Sequence, residues 1–414
     1  MTSRLEELIA ELCPNGVEYK KIGDIGKVSM CKRILKNQTN PVGDIPFYKI
    51  GTFGKKADSF ISNKLFQEYK QKYSFPNKGD ILISAAGTIG RVVVYDGEPA
   101  YFQDSNIVWV ANDEKKILNS FLYYIYQLEP WKVSSGGTIS RLYNENIAGA
   151  TIPVPPLEVQ SEIVRILDTF TELTAELTAE LTARKKQYEY YRDTLLTFND
   201  NNPLHSLIQR YCPNGVEYKK LGDIAIRISD GMHNLPKGIS LEGEYPVLSA
   251  QNINNGFISV ETSKWVAKEI FDVENKRTNV SENDVLLTIV GAIGRVAVVE
   301  SDIKALFQRS VCVIKPNPDT VISKFLYHIL LSSNIQNYMA ANAHGAAQKG
   351  LYLKQVSDVT IPVPPLDVQH QIVQILNRFD ALCNDLTQGL PAEIEARRKQ
   401  YEYYRDQLLT FKRA

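Results

Sequence analysis

The segment TIPVPPLEVQSEIVRIL occupies residues 151–167, and TIPVPPLDVQHQIVQIL occupies residues 360–376. In the first segment Pro153, Pro155 and Pro156 precede a stretch in which apolar residues recur every three or four positions. Proline fits the first turn of a helix, where its missing N–H would be unpaired anyway. This period is typical of an amphipathic helix. Both segments therefore predict the start of a long helix.

Each apolar stripe continues well beyond the quoted segment. The stripe of the first copy contains Ile163, Leu167, Phe170, Leu173, Leu177, Leu181, Tyr188, Tyr191 and Leu195. That of the second copy contains Ile372, Leu376, Phe379, Leu382, Leu386, Leu390, Tyr401, Tyr404 and Leu408. A single rod about 60 Å long cannot bury its own stripe, so we expect the two to pack as an antiparallel coiled coil. Gly389 and Pro391 predict a bend or short break in the second helix.

Three further blocks of the sequence are also written twice, about 200 residues apart. The repeated blocks are residues 5–25 and 204–224, 79–94 and 283–298, and 183–198 and 396–411. The inserts at residues 27–78 and 227–282 share almost nothing. Repeats reveal the architecture directly, so we predict two copies of one scaffold, related by a pseudo-two-fold, that present different surfaces. Duplication followed by neutral drift is the alternative.

The fold class predicted is α+β, with two α/β domains joined by the two long helices. Short β-branched runs predict strands at residues 80–84, 91–95, 107–110, 285–289 and 296–300. Helices are predicted at residues 1–12, 120–129 and 323–332. The predicted segments are residues 1–153 (first domain), 154–198 (first long helix), 199–211 (linker and short helix), 212–362 (second domain) and 363–414 (second long helix).

Composition limits the possible classes of protein. The chain has 414 residues, 44% of them apolar, and 47 basic residues balance 47 acidic ones. No stretch approaches 18 uninterrupted apolar residues, so no membrane span is predicted. Five scattered cysteines without a C-x-x-C spacing favour the reducing cytoplasm over a disulfide or zinc framework.

The charge is unevenly distributed along the chain. Residues 20–80 contain 13 basic and five acidic side chains, whereas residues 219–284 contain eight basic and ten acidic ones. Basic residues bind phosphate, and Asn, Gln and Arg on loops can contact base edges. The first candidate DNA-binding set is Lys32, Arg33, Lys36, Lys55, Lys56, Thr88, Arg91, Gln103, Ser105, Ser140, Arg141 and Tyr143. A solvated charged face is the alternative for this region.

The second copy has no excess of basic residues. Its DNA-binding candidates are therefore polar residues on loops at positions that match those of the first copy. This second DNA-binding set is Asp230, His233, Lys237, Gln251, Asn252, Arg295, Gln308, Arg309, Gln348, Lys349 and Tyr352. Each could equally be ordinary loop chemistry. His233 beside Asp230 would also suit catalysis, but neither a nucleophile nor a metal-ligand spacing accompanies the pair.

The first long helix contains a tandem four-residue repeat, whose units are marked by Thr174, Leu177, Thr178 and Leu181. One unit lengthens a helix by about 6 Å and turns it by about 40°. One base pair of DNA advances by about 3.4 Å and rotates by about 35°, so one unit matches a base-pair step in rotation but not in rise. If each copy binds one half-site, the number of units would set the gap between the half-sites. A simple helix-forming filler is the alternative.

Motifs for catalysis are missing from the sequence. There is no G-x-x-x-x-G-K-[ST], no G-x-G-x-x-G that opens a helix after a strand, and no H-E-x-x-H. No Asn-Pro-Pro-aromatic or Asp-Pro-Pro-aromatic tetrapeptide is present either. The sequence therefore predicts a chain that is non-catalytic by itself.

The doubled C-P-N-G-V-E-Y, G-x-I-G-R and I-P-V-P-P-L-[ED]-V-Q motifs and the Thr-Ala-Glu-Leu units resemble the specificity subunits of type I restriction-modification enzymes. The resemblance covers essentially the whole chain. It implies two target-recognition domains, each reading half of a split site in double-stranded DNA. It also implies docking of two modification subunits and up to two restriction subunits, which would bring S-adenosylmethionine, ATP and Mg²⁺. Arg184, Tyr188, Tyr191, Arg397, Tyr401 and Tyr404 are then candidate docking residues.

Two other interpretations stay open at this point. The chain could be a DNA methyltransferase or nuclease in its own right, which the missing motifs disfavour. It could also be a coiled-coil scaffold that does not recognise DNA, which the basic first insert disfavours. For the candidate docking residues, an ordinary coiled-coil surface is an equal alternative.

Overall fold

The computed structural model describes residues 3–133, 141–261, 264–301, 303–345, 349–385 and 387–414. The chain divides into a first unit, Met1–Ala175 with Arg397–Ala414, and a second unit, Glu176–Ala396. Both boundaries fall within long helices. Each unit therefore combines a mixed α/β domain with helical segments from both halves of the sequence.

The strands of the first unit are short, and its helices flank them. Its strands are β1 (Tyr19–Lys21), β2 (Gly26–Met30), β3 (Ile45–Tyr48), β4 (Phe60–Ile61), β5 (Ile81–Ser84), β6 (Val92–Val94), β7 (Tyr101–Phe102), β8 (Ile107–Asn112) and β9 (Thr151–Pro153). Its helices are α1 (Ser3–Leu12), α2 (Ile22–Ile25), α3 (Asn63–Lys72), α4 (Asn119–Tyr126), α5 (Asn144–Gly149) and the first part of α6 (Leu157–Leu195).

The second unit follows the same order of elements, with two additional strands and one additional helix among the described residues. Its helices are α7 (His205–Tyr211), α8 (Leu221–Ile224), α9 (Lys268–Glu274), α10 (Ser323–Leu331), α11 (Ser333–Asn342), α12 (Leu353–Ser357), α13 (Leu366–Asn384) and the first turns of α14 (Leu390–Leu408). Its strands are β10 (Tyr218–Lys220), β11 (Ala225–Asp230), β12 (Tyr245–Leu248), β13 (Ile253–Asn254), β14 (Phe257–Ile258), β15 (Lys264–Val266), β16 (Val285–Thr288), β17 (Val296–Val298), β18 (Leu306–Phe307), β19 (Val311–Pro316) and β20 (Thr360–Pro362).

The two units have sheets of the same topology. A four-stranded antiparallel sheet runs β2-β8-β5-β6 in the first unit and β11-β19-β16-β17 in the second. A three-stranded sheet has the order β4-β3-β7 or β15-β12-β18, and a two-stranded pair joins β1 to β9 or β10 to β20. The duplicated blocks therefore build one scaffold twice, although the inserts between them differ.

The central strands β5, β8, β16 and β19 are mostly apolar because their side chains enter cores on both faces of each four-stranded sheet. Successive side chains of a strand point to opposite faces. In β5, Ile81 and Ile83 belong to the core beside the helices, whereas Leu82 belongs to the core beneath the first insert. In β16, Val285 and Leu286 divide between two cores in the same way. The scaffold and each insert thus share one sheet.

A buried glutamine explains the V-Q pair that follows the prolines. Gln160 is fully buried; its Oε1 accepts from Leu118 N at 2.8 Å, and its Nε2 donates to Pro155 O at 2.7 Å. Gln369 makes the same contacts with Ile322 N at 2.9 Å and Pro364 O at 2.8 Å. Buried backbone groups need such partners. The repeated motif therefore fixes each long helix to the start of α4 or α10.

The break predicted near Gly389 and Pro391 is present. Helix α13 ends at Asn384, and α14 begins at Leu390. Asp385 accepts a hydrogen bond from Thr387 N at 2.7 Å, which stabilises the turn. A Cβ atom on Gly389 would lie 2.6 Å from the carbonyl oxygen of Asp385, so a side chain would not fit there without a shift.

The other predicted helices and strands are found with each end within three residues of its predicted position. The first long helix begins at Leu157 rather than at residue 154, because the prolines occupy an extended lead-in. The predicted helix at residues 120–129 is Asn119–Tyr126, and the one at 323–332 is Ser323–Leu331. All five predicted strands are present as β5, β6, β8, β16 and β17.

Candidate nucleic-acid interface

Backbone hydrogen bonds gather four loops at one end of the first unit's sheets. Gln103 N donates to Tyr48 O at 2.9 Å, joining the loops that follow β7 and β3. Ala85 N donates to Asn106 O at 2.7 Å, and Leu142 N donates to Ala85 O at 2.9 Å. We call these joined loops, with residues 31–36, the first loop cluster. It brings the variable insert next to the repeated scaffold.

Two predicted base-reading residues hold this cluster together instead of facing outward. The Arg91 guanidinium donates to Phe53 O at 2.8 Å. The Gln103 side-chain oxygen accepts from Ile50 N at 2.9 Å. Both side chains are half-buried. The side chains of Arg91 and Gln103 therefore use these hydrogen-bonding groups to hold the loop that follows β3.

Arg141 and Ser105 form a second internal link. The Arg141 guanidinium donates to Ser105 O at 3.1 Å and lies 5.9 Å from the centroid of the exposed Tyr143 ring. Ser105 has a φ of 54°, a left-handed conformation that turns the chain sharply after β7. This link positions Tyr143 at the edge of the first loop cluster.

The basic loop at residues 31–36 is tied to the same cluster. Tyr101 donates its hydroxyl proton to Lys32 O at 3.0 Å, and the Lys32 ammonium lies 5.2 Å from the centroid of the Tyr73 ring. Arg33 lies 3.8 Å from Asp104, and its side chain is 74% exposed. Asp104 and Tyr73 were not in the candidate set, although Tyr73 lies in the basic, tyrosine-containing stretch at residues 20–80.

The exposed members of the first set are Lys32, Arg33, Lys36, Lys55, Lys56, Thr88 and Tyr143. Ser140 lies outside the described residues. Contact of the exposed members with DNA stays a prediction.

The second unit has an equivalent second loop cluster. Gln308 N donates to Leu248 O at 2.8 Å, Ile289 N to Ser310 O at 2.9 Å, and Leu351 N to Ile289 O at 2.8 Å. These bonds join the loops after β12, β16 and β18 to the segment before α12. The matched blocks therefore produce matched loop arrangements in both units.

Asp230, His233 and Arg277 form an ionic cluster beside these loops. The Arg277 guanidinium contacts Asp230 Oδ1 at 2.5 Å, and His233 Nε2 lies 2.8 Å from Asp230 Oδ2. Arg277 Nε also donates to Gly231 O at 3.0 Å. Asp230 is thus buried and paired, while His233 remains 56% exposed. Arg277 was missed because it lies 47 residues away from its partner in the sequence.

Two more predicted readers of the second set are internal. Asn252 is 1% exposed; it accepts from Ser249 N at 2.9 Å and donates to Ser259 O at 3.1 Å. Its burial removes it from a DNA-facing surface, so that assignment was wrong. Arg295 reaches Ile253 O at 3.4 Å, much as Arg91 reaches its loop. The arginine of each G-x-I-G-R motif therefore holds a variable loop.

The remaining members of the second set lie at the surface. His233, Lys237, Gln251, Arg309, Lys349 and Tyr352 are exposed, and Gln308 is half-buried. Gln348 lies outside the described residues. Contact of the surface members with DNA stays a prediction.

The candidate docking set needs one correction. Tyr188 is 4% exposed, and its hydroxyl lies 2.9 Å from His328 Nδ1, deep in the second unit. A side chain enclosed in this way cannot dock another protein. The position of Tyr188 in the apolar stripe of the first long helix already indicated a core residue.

The other tyrosines of the set also pack inside their own units. Tyr191 stacks on Phe379 with ring centroids 5.3 Å apart in the second unit. The remaining two pack in the first unit, where Tyr404 stacks on Phe170 at 5.4 Å and Tyr401 donates to Gln127 Oε1 at 2.7 Å. All three are half-buried.

The arginines of the docking set contact neighbours on their own helices. Arg184 contacts Glu180 at 3.4 Å and Gln187 at 2.9 Å, while Arg397 donates to Gln400 at 3.1 Å. The more accessible tyrosines are Tyr190 and Tyr403, which are 67% and 62% exposed. Sequence reasoning should have chosen these two, since they lie outside the apolar stripes.

His328 makes the stability of the second unit depend on pH. Burial lowers the pKa of the His328 imidazole to about 4, whereas an unfolded histidine has a pKa of about 6.5. Between these values the unfolded chain binds more protons, so the free energy of unfolding falls as the pH drops from about 6.5 towards 4. His328→Phe should flatten this dependence in urea unfolding curves, whereas His370→Phe at an exposed site should not. An unchanged slope in His328→Phe would contradict the assignment.

The four-residue repeat lies where α6 passes from the first unit to the second, since the boundary follows Ala175. Leu177 and Leu181 are half-buried, and Leu181 packs against the core of the second unit. The Thr174 hydroxyl donates to Phe170 O at 2.8 Å, and Thr178 is exposed. Helix α6 is continuous through the repeat.

Within the residues that the structure describes, no group of three or more His, Cys, Asp or Glu side chains is arranged to hold a metal ion. None of the described helices combines the length and apolar character needed to cross a membrane.

Residues 14–184 and 213–396 each match the family described as the type I restriction modification DNA specificity domain. The two matches cover most of the chain. The chain belongs to this family. Its two specificity domains coincide with the two copies of the scaffold.

Individual relatives agree with this assignment. The chain is 34% identical over 309 residues to the type I restriction enzyme EcoR124I/EcoR124II specificity subunit of Escherichia coli, an alignment that covers 72% of each chain. It is 61% identical over 183 residues to a putative type I restriction enzyme specificity subunit of Haemophilus influenzae. That alignment covers 43% of this chain and 48% of the relative, so the chain spans about half the length of the latter.

Solved structures share the fold. The type I restriction-modification S subunit from M. genitalium superposes with a TM-score of 0.54 at 16% identity, covering 96% of this chain and 97% of that one. A chain from a study of the assembly and conformational transition of the type I R-M system gives 0.58 at 16% identity, with 96% and 98% covered. These likenesses concern the fold alone.

Proposed function

We propose that this chain is the DNA-reading subunit of a type I restriction-modification complex, with one recognition domain at residues 1–153 and another at 212–362. The observation that carries the proposal is the pair of matched loop clusters. Each is held by the same backbone bonds, and each displays different side chains. A common frame with unlike loops suits a split site whose two halves differ in sequence.

The first loop cluster would bind through charge. Lys32, Arg33 and Lys36 are exposed and tied by their loop to the end of the sheet. Phosphate contacts position a protein, whereas base contacts give it specificity. We assign the exposed lysines and Arg33 to phosphate, and the exposed Thr88 and Tyr143 to groove contacts.

The second loop cluster would bind mainly through polar side chains, because its insert has no excess of positive charge. Gln251, Arg309 and Lys349 are exposed around the joined loops. The Arg277 clamp holds the turn that displays His233. We assign these four exposed side chains to the second half-site.

The chain is non-catalytic by itself, as a specificity subunit. We propose that two modification subunits and up to two restriction subunits bind it, and that they supply the adenine methylation and DNA cleavage. S-adenosylmethionine, ATP and Mg²⁺ would bind to those subunits, in the cytoplasm. The exposed faces of α6 and α14 that contain Tyr190 and Tyr403 are the proposed docking surfaces.

The test is to sequence the methylated bases of a host that expresses this chain with its modification subunits. We expect one motif in two parts separated by a fixed gap of unread bases, with a methylated adenine in each part. The control is the same host with the modification subunits alone, which should show no such motif. A motif without a gap, or methylation without this chain, would overturn the proposal.

A further inference from the structure

The C-terminal residues of the chain form a parallel β-bridge with the first C-P-N-G-V-E-Y loop. Val17 N donates to Lys412 O at 2.8 Å, and Ala414 N donates to Val17 O at 3.1 Å, in parallel register. The Arg413 guanidinium lies 4.6 Å from the centroid of the Tyr19 ring. This loop is therefore a receptor for an extended peptide, and its occupant is the chain's own tail.

The second C-P-N-G-V-E-Y loop is identical in sequence but has no such occupant in the part of the chain that the structure describes. A Cβ atom on Gly16 would lie 2.7 Å from Lys412 O, whereas one on Gly215 would meet no described atom within 4 Å. Val17 is 3% exposed, but its counterpart Val216 is only partly buried. Tyr218, the counterpart of the tyrosine beneath Arg413, is 54% exposed.

The chain cannot fill this second loop with the segment that follows α6. That segment corresponds in sequence to the C-terminal tail, but the side chain of Asn202 bonds it to the end of α6. The Asn202 amide donates to Leu195 O at 3.0 Å and to Thr197 O at 2.8 Å. The chain then enters α7. No backbone segment in the described ranges pairs with the receptor edge at Val216.

The open loop borders a groove of about 410 Å³ with an acidic wall. Glu217 and Asp319 line the groove. The position in the first copy that corresponds to Asp319 is Lys115, so the second groove has an acid where the first has a base. A basic peptide is therefore better matched here than in the first unit.

We propose that this groove binds an extended basic peptide segment of a partner subunit, in which an aromatic residue precedes two basic residues. The peptide would pair with Val216 as a parallel strand, place a basic side chain on the Tyr218 ring and face Asp319. Strand addition supplies affinity through main-chain bonds, while side-chain pockets supply specificity. This proposal concerns a surface away from the loop clusters, so it does not depend on DNA recognition.

The test measures binding of a fluorescent peptide, LLTFKRA, which copies residues 408–414, to the full chain without DNA. We expect saturable binding to one site. A peptide N-methylated at the alanine should bind at least about tenfold more weakly, because it loses a main-chain bond. Tyr218→Ala should weaken binding about threefold through the lost cation–π contact. Asp319→Lys should also weaken it, whereas Glu261→Lys should leave it unchanged.

Two results would overturn the proposal. One is equal affinity for the normal and N-methylated peptides, or an affinity that the Tyr218→Ala and Asp319→Lys substitutions leave unchanged. The other is a dimer of the full chain that disappears when residues 412–414 are deleted, because the occupant would then be the tail of a second copy. Peptide binding with a monomeric chain supports the partner assignment. Neither failure would alter the methylation motif, so it would be distinguishable from failure of the proposed function.

Discussion

A chain with Lys32→Glu, Arg33→Glu and Lys36→Glu should lose about a thousandfold or more in affinity for duplex DNA at moderate salt. The three side chains are exposed on one loop, and that loop is fixed to the first loop cluster by the Tyr101 hydroxyl. Each lost phosphate contact lowers the slope of log affinity against log salt by about 0.9. We therefore expect the slope to fall by about three. Fluorescence anisotropy with the methylated motif as a duplex would measure both quantities.

The matched control reverses three charges elsewhere in the same unit: Lys21, Lys115 and Lys116. All three are exposed. Lys115 and Lys116 follow the far end of β8, whereas the first loop cluster lies at its beginning. The control changes the net charge of the chain equally, so a loss of similar size would show that binding depends on overall charge. That result would contradict the placement of DNA at the loop cluster.

Deletion of residues 178–181 should shorten the gap of the recognised motif and leave the sequences of both half-sites unchanged. Removing one unit shortens α6 by about 6 Å and rotates it by about 40°. The rotation is close to the 35° of one base pair, so we expect a gap shorter by one base pair. The boundary between the two units lies inside this repeat, which places the change in the segment that connects them.

The measurement is again the methylated motif of a host that carries the variant with its modification subunits. Thr178→Ala with Thr182→Ala changes the same region but retains its length, and it should retain the original gap. An unchanged gap in the deletion variant would show that the repeat is only a helix-forming filler. A complete loss of methylation would be checked by thermal unfolding of both variants.

The duplicated scaffold could be predicted from the sequence because its signals are local. Prolines, the helical period and repeated blocks predicted the long helices, and the break after Asn384 followed from Gly389 and Pro391. The repeated blocks, with their short β-branched runs, also predicted the matching strands. What they could not show was that Phe170 pairs with Tyr404 while Tyr191 pairs with Phe379. Such pairs join segments far apart in the sequence.

The loop clusters were less predictable because their contacts are between distant residues. The partner of Arg91 is a carbonyl 38 residues away, and that of Arg277 is 47 residues away. A polar residue on a loop is equally compatible with base contact and with holding its neighbours. Burial decided between these roles for Asn252, which no sequence pattern distinguished from its exposed neighbours. For Tyr188 the apolar stripe of the long helix already indicated a core position.

The most direct test of the central claim exchanges the variable insert at residues 27–78 for that of another specificity subunit while the repeated blocks stay unchanged. The methylated motif of the resulting host is then sequenced. If two unlike recognition domains sit on a common frame, one half of the motif should change, while the other half and the gap stay the same. A motif unchanged in both halves, or changed in both, would contradict the account.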